Sequence, residues 1–418
     1  MFIQKIKDIP KDVQIEILND FLQKHPKDGV GAYRYLSHLY SLNNNFQKAE
    51  EVLLNGIKNN PSNLWLQLYL GDFYFYTLGD KNKAERVYRS ILDKFDKEEK
   101  STMSPYRYVL KRLTAIAYDK KDFDSALTIF EKFFRIEPSD FYASDFIKYA
   151  EILLSFGQVK EAEEVVKVGI KTHPKDMHLV EFAREHFGFK VEKRKESIDT
   201  ENVIRILVKT SLIKEDEDII PIVEKYVLPL LKEGDVLTIA STVAGISEGR
   251  IYSPDSIKVS PFAKILSKFI NQKSVPFGGA APLANPYSMQ VLIFEYGLLK
   301  VMFGLTMGVI GKILGFDGWF YKFTGQQSAI LDDPPASIPP YDYYVILGPK
   351  DSEEFASRIK EKIGFDVAIV DVNDLGASWV IGATSGIEKE KIEKILIDNP
   401  AGNEDETTPF VILRFTQN

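Results

Sequence analysis

The sequence predicts a multidomain protein, with an all-α helical-repeat superhelix at the N-terminus and an α/β (α+β) domain at the C-terminus. Three observations predict it. Residues 1–185 repeat with a period near 35, a charge-rich stretch follows, and from Glu201 strand-like runs (Val203–Val208, Asp235–Ala244, Tyr344–Leu347, Val367–Val370, Phe410–Arg414) alternate with helices and Gly/Pro turns. A chain of 418 residues is also too long for one ordinary core.

The repeat is carried by alanines and prolines. Ala49 and Pro61, Ala126 and Pro138, and Ala162 and Pro174 each stand twelve apart. Before each Ala lies an amphipathic segment with small or aromatic residues at helical spacing, such as Tyr33, Leu36 and Tyr40 or Tyr149 and Leu153. The second copy (Leu70, Gly71, Tyr74, Ala84) has one extra residue before its Ala and lacks the closing Pro. An alanine where paired helices cross lets them approach, and proline cannot continue a helix. The pattern resembles tetratricopeptide (TPR) repeats: a half-repeat over Asp12–Pro26, about four repeats, a capping helix, and an insertion near Glu98–Pro105. The expected boundaries are 1–190 for the TPR domain, 191–200 for a charged linker and 201–418 for the second domain.

Composition narrows the chemistry. With no cysteine there is no disulfide, thiolate metal site or thiol nucleophile, which suits a reducing, cytoplasmic setting. All five histidines precede residue 201, so catalysis beyond it must use carboxylates, amides, hydroxyls, Lys, Arg or an oxygen-held metal. Residues 1–200 carry 32 basic against 31 acidic side chains and the remainder 21 against 29, so nucleic acid is not an expected partner. No signal peptide is expected at MFIQKIKDIPKD. The apolar stretch Met289–Phe320 is interrupted by Glu295, Lys300, Lys312 and Asp317, so a buried helix or helical hairpin is expected and no membrane span.

Familiar catalytic patterns are weak in the second domain. Gly245-Ile-Ser247-Glu-Gly249 matches a nucleophile elbow in form but has no downstream histidine base. Gly311-Lys312 lacks the rest of a phosphate-binding loop, and Gly278–Gly279 admits two readings, a loop that approaches a phosphate or, the favoured one, a plain surface loop. Asp371 and Asp374 follow the run Val367–Val370 and admit two readings, as metal carboxylates at a strand end or as helix N-caps. Asp332-Asp333-Pro334-Pro335 and the acidic loop Glu404–Glu406 carry similar ambiguity, with turn chemistry and a solvated loop as the alternatives.

Taken together, four ordered elements resemble the coenzyme F420-0:γ-glutamyl ligase family, most closely its divergent ligase-related branch, from about Val203 to Arg414. They are Lys232–Ile251 (KEGDVLTIASTVAGISEGRI), Tyr321–Gly348 with its strand-like run into Ala329-Ile-Leu-Asp332, Asp371-Val-Asn-Asp374, and Gly402-Asn403-Glu-Asp-Glu406-Thr-Thr-Pro409. The resemblance implies an acid–amino-acid ligase that uses GTP or another nucleoside triphosphate with Mg²⁺ or Mn²⁺, joining L-glutamate to an acceptor carboxylate through an acyl phosphate. It implies Asp332 and Asp371 as catalytic metal ligands, with Asn403 as a further ligand. For the nucleotide it implies Thr210, Ser211, Leu212, Ile213, Ser241, Thr242, Arg250, Asn373 and Glu406. Five positions depart from the family pattern: Gly245-Ile246 replaces Ser-Lys, Pro335 an asparagine, Val372 a threonine and Asn403 a glutamine. A TPR groove is expected to recruit a protein or peptide partner, and Met289–Phe320 to serve a homodimer. The alternative is a non-catalytic TPR scaffold whose ligase-like domain only binds a nucleotide or cofactor, or dimerises.

Overall fold

In the computed structural model, residues 2–27, 29–95, 104–136, 138, 141–174, 176–189, 202–270, 282–316, 318–332, 334, 337–373, 377–402 and 407–416 are described. The linker Val191–Thr200, most of the insertion at Glu98–Pro105, Gly278–Gly279, Asp333, Pro335, Asp374 and Asn403–Glu406 lie outside the described residues. The chain divides into two compact units. One holds Met1–Val191 with Ser253–Ser256 and Pro339–Tyr343, and the other holds Glu192–Tyr252, Ile257–Ile338 and Tyr344–Asn418.

The first unit is a TPR-like array of helix pairs. The pairs are Val30–Leu42 with Phe46–Asn59, Leu64–Asp72 with Lys81–Leu92, Pro105–Asp119 with Phe123–Ile136, and Ala143–Ser155 with Val159–Thr172. Lys11–Lys24 precedes them and Met177–Phe187 follows. A short helix, Phe2–Ile6, opens the chain beyond the expected half-repeat. The four marker alanines Ala49, Ala84, Ala126 and Ala162 are each 0% exposed, as an alanine at a helix crossing requires. Gly71 serves the same end, because a Cβ there would stand 2.3 Å from the Tyr88 ring. The extra residue of the second copy is absorbed by a π-helical turn, Phe73–Thr77, which continues Leu64–Asp72. A π turn takes up one residue without breaking the helix.

Two segments from far along the sequence complete this unit. The Arg112 guanidinium donates two hydrogen bonds of 2.6 Å to the Asp342 carboxylate and longer ones, 3.2 and 3.4 Å, to Asp72. Tyr88 and Tyr343 donate to the same Asp72 at 2.7 and 2.9 Å. The Tyr343 ring lies 5.4 Å from Trp65 and 5.3 Å from Tyr108. Tyr69 donates to Asp255, a carboxyl that burial pushes above the usual carboxylate range. Apart from Tyr88, the array residues in these contacts come from Leu64–Asp72 and Pro105–Asp119, the first helices of successive pairs, which lie side by side.

The second unit is built on a five-stranded sheet. In chain order its strands are β1 (Val203–Val208), β2 (Val236–Ala240), a small β3 (Ile251–Tyr252), a small β4 (Val345–Ile346), β5 (Asp366–Asn373), β6 (Ala377–Ala383) and β7 (Phe410–Phe415). The main sheet runs β1-β7-β2-β5-β6, with only β2 and β5 parallel, while β3 and β4 pair separately. Successive β5 residues enter opposite cores: Val367 and Ile369 pack with Val223, Phe355 and Ile359, whereas Ala368 and Val370 pack with Ile392 and Leu396. Cover on both faces is why β5 and β7 read as unbroken apolar runs.

Three local expectations change. The strand expected over Asp235–Ala244 stops at Ala240, and Ser241–Ser247 is helical. The run into Asp332 is not a strand, since Gln327–Ile330 is a helical turn and Asp332 forms a lone bridge with Ile346. Asp371 lies inside β5, opposite Trp379, so a helix N-cap is excluded there.

Candidate functional site

The parallel pair β2–β5 ends with Ala240 opposite Val370, so the next residues, Ser241 and Asp371, become neighbours. The Ser241 hydroxyl donates to the Asp371 carboxylate at 3.4 Å. Thr242, one residue on, donates to Asp332. Asp332 is fixed from its other side by reciprocal backbone hydrogen bonds with Ile346, at 2.9 and 3.0 Å. The turn after β2 therefore supplies one hydroxyl to each of two carboxylates that lie 39 positions apart in sequence.

Electrostatics mark the pair. Burial raises Asp332 to about 6, against the lowering effect of the Thr242 hydrogen bond. Burial, then the charge of Asp332, raises Asp371 to about 7. No Lys or Arg forms an ion pair with either among the described residues. Two half-buried, mutually repelling carboxylates are an all-oxygen anionic donor set, which fits a hard divalent cation such as Mg²⁺ or Mn²⁺. Among the described residues no group of three or more His, Asp or Glu forms, so the pair itself, with Ser241 and Thr242 behind it, is the donor set. The expected third ligand Asn403, and Glu406, lie outside the described residues.

The other expected positions are distributed unequally. The Thr210 N–H donates to the Thr407 carbonyl at 2.9 Å and the Ala240 N–H to the Pro409 carbonyl at 3.1 Å. The segment that follows the acidic loop thus runs between Thr210 and the Ser241 turn. Ser211 is exposed and hydrogen-bonds the Tyr226 hydroxyl, whereas Ile213 is a core residue with no polar atom to offer from its side chain. Leu212 stands between them, half-buried. Asn373 accepts from the Ala377 N–H at 3.1 Å across the β5–β6 turn. Arg250 donates to the Gly348 carbonyl at 2.7 Å and pairs with Glu295 at 2.9 Å, so it braces the turn against β4 and a helix.

The departures at Gly245 and Ile246 also acquire a physical account. A Cβ at Gly245 would sit 1.8 Å from the Leu347 carbonyl oxygen, and Ile246 is buried. Backbone occupies the place of a side chain at Gly245, and at Ile246 a buried apolar side chain stands where the family pattern puts a lysine. Gly245→Ala is accordingly expected to destabilise the protein by about 2 kcal/mol or more through overpacking against backbone. Urea unfolding followed by circular dichroism measures it.

A surface cavity of about 350 Å³, lined by Asn202, Val203, Lys391, Lys394, Ile395, Phe415 and Thr416, lies at the opposite end of β1 and β7 from Val208 and Phe410. Its lining has no carboxylate, and it takes no part in the site.

Residues 207–386 match the family model of F420-0:gamma-glutamyl ligase, a span that contains both Asp332 and Asp371. A coenzyme F420:L-glutamate ligase of Methanopyrus kandleri is 29% identical over 163 residues, which cover 37% of this chain and 55% of that relative. The chain thus spans about half the length of the curated relative it matches. Among solved structures, YrrB, described as a TPR protein with an unusual peptide-binding site, is 16% identical with a TM-score of 0.31, covering 41% of this chain and 81% of its own. MamA is 16% identical with a TM-score of 0.30, covering 37% and 83%. The helical array is established by its own helix pairs and buried alanines, to which overlaps this loose add nothing. Behind that TPR-like array, the chain carries over residues 207–386 a domain of the F420-0:γ-glutamyl ligase family.

Proposed function

We propose that the second unit is a metal- and nucleotide-dependent carboxylate–amine ligase that forms a γ-glutamyl-type amide. The observation that carries the reading is the Asp332–Asp371 pair, two raised carboxylates without a cationic partner among the described residues, each held by a hydroxyl of one turn. Asp332 and Asp371 would hold Mg²⁺ or Mn²⁺, which when bound neutralises the phosphate charge of GTP or another nucleoside triphosphate. Ser241 and Thr242 fix the carboxylate rotamers. Thr210 and Ser211, together with backbone at Leu212 and Ile213, offer contacts to the nucleotide, as do Asn373, Arg250 and Glu406 in the family pattern. The γ-phosphoryl group moves to the acceptor carboxylate, giving an acyl phosphate and a nucleoside diphosphate. The glutamate amine then attacks the acyl carbon, a C–N bond forms, the C–O bond to phosphate breaks, and the amine loses its proton.

The TPR-like array is proposed to recruit a protein or peptide acceptor or regulator. Its helices already hold an acidic, aromatic segment of the chain itself through Arg112, Trp65 and Tyr108. The rival reading, a non-catalytic scaffold, draws on Gly245 and Ile246, where no phosphate-contacting lysine can stand without displacing backbone or burying a charge. One experiment separates the two. The full chain is incubated with GTP or ATP, Mg²⁺ or Mn²⁺, L-glutamate and candidate acceptors (F420-0, a folate, a carboxyl-terminal peptide), and phosphate release and product mass are followed. Phosphate release that requires metal, glutamate and an acceptor supports the ligase. Absence of release, together with calorimetry showing no nucleotide binding, establishes the scaffold in its place.

A further inference from the structure

The helix Leu298–Ile313 has two faces of different fate. On one, Val301, Gly304, Gly308 and Gly311 pack against Trp319–Thr324 so closely that a Cβ at Gly304 would lie 1.9 Å from the Thr324 hydroxyl. On the other, large apolar side chains face solvent: Leu299 is 83% exposed, Phe303 53%, Val309 59% and Ile313 78%. With Met302 and Ile310, also exposed, they fall in one stripe roughly 120° wide at about 100° per residue. Leu314 and Phe316 extend the patch beyond the helix end. Monomeric soluble proteins rarely leave so continuous an apolar surface without a partner.

No single helix among the described residues is long and apolar enough to cross a bilayer: this one has 16 residues and meets its predecessor, Pro286–Tyr296, at a bend of 113°. The two together have the length and composition of a broken span, but Met289, Val291 and Leu292 of the first are buried in the protein's own core, which leaves the second helix alone to meet a surface.

Charge selects among the occupants that remain. Between Lys258 and Lys322 the sequence has seven lysines and two acids, Glu295 and Asp317, although residues 201–418 as a whole carry a net charge of −8. Glu295 is already paired with Arg250. Lys300 and Lys312 stand on opposite flanks of the stripe, and both are exposed. A second copy docking stripe to stripe would bring the same lysines against themselves. An anionic lipid surface would receive the stripe among its acyl chains and the lysines among its headgroups.

We infer that Leu298–Ile313 is an in-plane membrane anchor that seats this protein on anionic lipid. The stacked pair Phe316–Trp319, with centroids 5.4 Å apart, lies where interfacial aromatics stand. The inference is independent of the ligase reading, because it uses none of the site residues.

The test is co-flotation of the full chain with vesicles of phosphatidylcholine alone or of phosphatidylcholine with phosphatidylglycerol. Binding is expected to favour the anionic vesicles and to weaken with salt. The double variant Phe303→Ser/Ile313→Ser should lose about tenfold or more in binding to anionic vesicles. Lys300→Glu/Lys312→Glu should abolish the preference for anionic over neutral vesicles. All four side chains are exposed, and an unchanged circular dichroism melt confirms the fold. The inference is overturned if the wild-type chain stays off anionic vesicles, or if both double variants bind as wild type does. It is equally overturned if light scattering finds a stable dimer that Phe303→Ser/Ile313→Ser splits, which would assign the stripe to a second copy.

Discussion

Asp371→Asn is expected to reduce metal- and glutamate-dependent phosphate release by about 10²–10³-fold, and Asp332→Asn comparably, because each deletes one of the two anionic ligands of the proposed cation. Loss of turnover with an intact fold is the informative combination, and the fold should survive. In the metal-free protein the carboxylates repel one another, so removing one charge relieves strain instead of adding it. The pH dependence follows with a definite sign. Asp332 and Asp371 sit at about 6 and about 7, above the value of about 4 expected in the unfolded chain. Between those limits the folded state binds more protons than the unfolded state. Metal-free stability is therefore fully supported below about 4 and declines as pH rises through about 6 and 7. Asp371→Asn should remove much of that decline, making the metal-free variant more stable than wild type at pH 8 by about 1–2 kcal/mol. Added Mn²⁺ should reverse the order, since it binds the ionised pair of the wild type. Thermal melts at pH 5 and pH 8, with and without Mn²⁺, read all of this. Wild-type turnover in either variant would remove the carboxylate pair from the mechanism.

How much of this was legible in the sequence depends on the range of the signal. The helix pairs were legible because Ala49, Ala126 and Ala162 mark crossings whose partners lie within one repeat, and the odd spacing of the second copy became a π turn. Strands β5 and β7 were legible because both sheet faces are covered, which forces continuous apolar residues, and the edge strand β1 shows the same apolar run although Ile204 and Leu207 are exposed. Strand β6 (ASWVIGA) was missed: with Ser378 and Gly382 among its apolar residues it shows no clean period, and its pairing is supplied by the turn from β5. The carboxylate pair was visible only through a family pattern. Nothing local in ILDD or VDVND says that a parallel pairing of β2 with β5 will place Ser241 beside Asp371. Least legible of all were Ser253–Ser256 and Pro339–Tyr343, whose partners in the helical array are 186 to 271 positions away. Nothing in SPDS or PPYDY marks that pairing, because Pro and Asp serve turns equally well.

That long-range segment also gives the largest stability effect expected. Arg112→Ala should destabilise the first unit by about 3–5 kcal/mol, because it removes the cation that two buried carboxylates share. Burial already holds Asp72 above the usual carboxylate range despite the guanidinium beside it. Without Arg112, Asp72 and Asp342 would face each other in a site that excludes water. Arg112→Lys should recover only part of the loss: one ammonium cannot reproduce the two 2.6 Å hydrogen bonds to Asp342 together with those to Asp72. Asp342→Asn should cost less than Arg112→Ala, since Arg112 keeps Asp72 as its counter-ion. Tyr343→Phe should cost least, about 1 kcal/mol, for a single hydrogen bond to Asp72. Denaturant unfolding ranks the four variants, and hydrogen exchange over Leu64–Asp72 and Pro105–Asp119 locates the loss. Should Arg112→Ala and Tyr343→Phe prove equally mild, the Pro339–Tyr343 segment would be held by its aromatic contacts to Trp65 and Tyr108 and not by charge. In that case the array would accept aromatic peptides without requiring an acid. If the predicted ranking holds, the carboxylate of Asp342 is the anchor, and any partner that displaces this segment must bring an acidic group for Arg112.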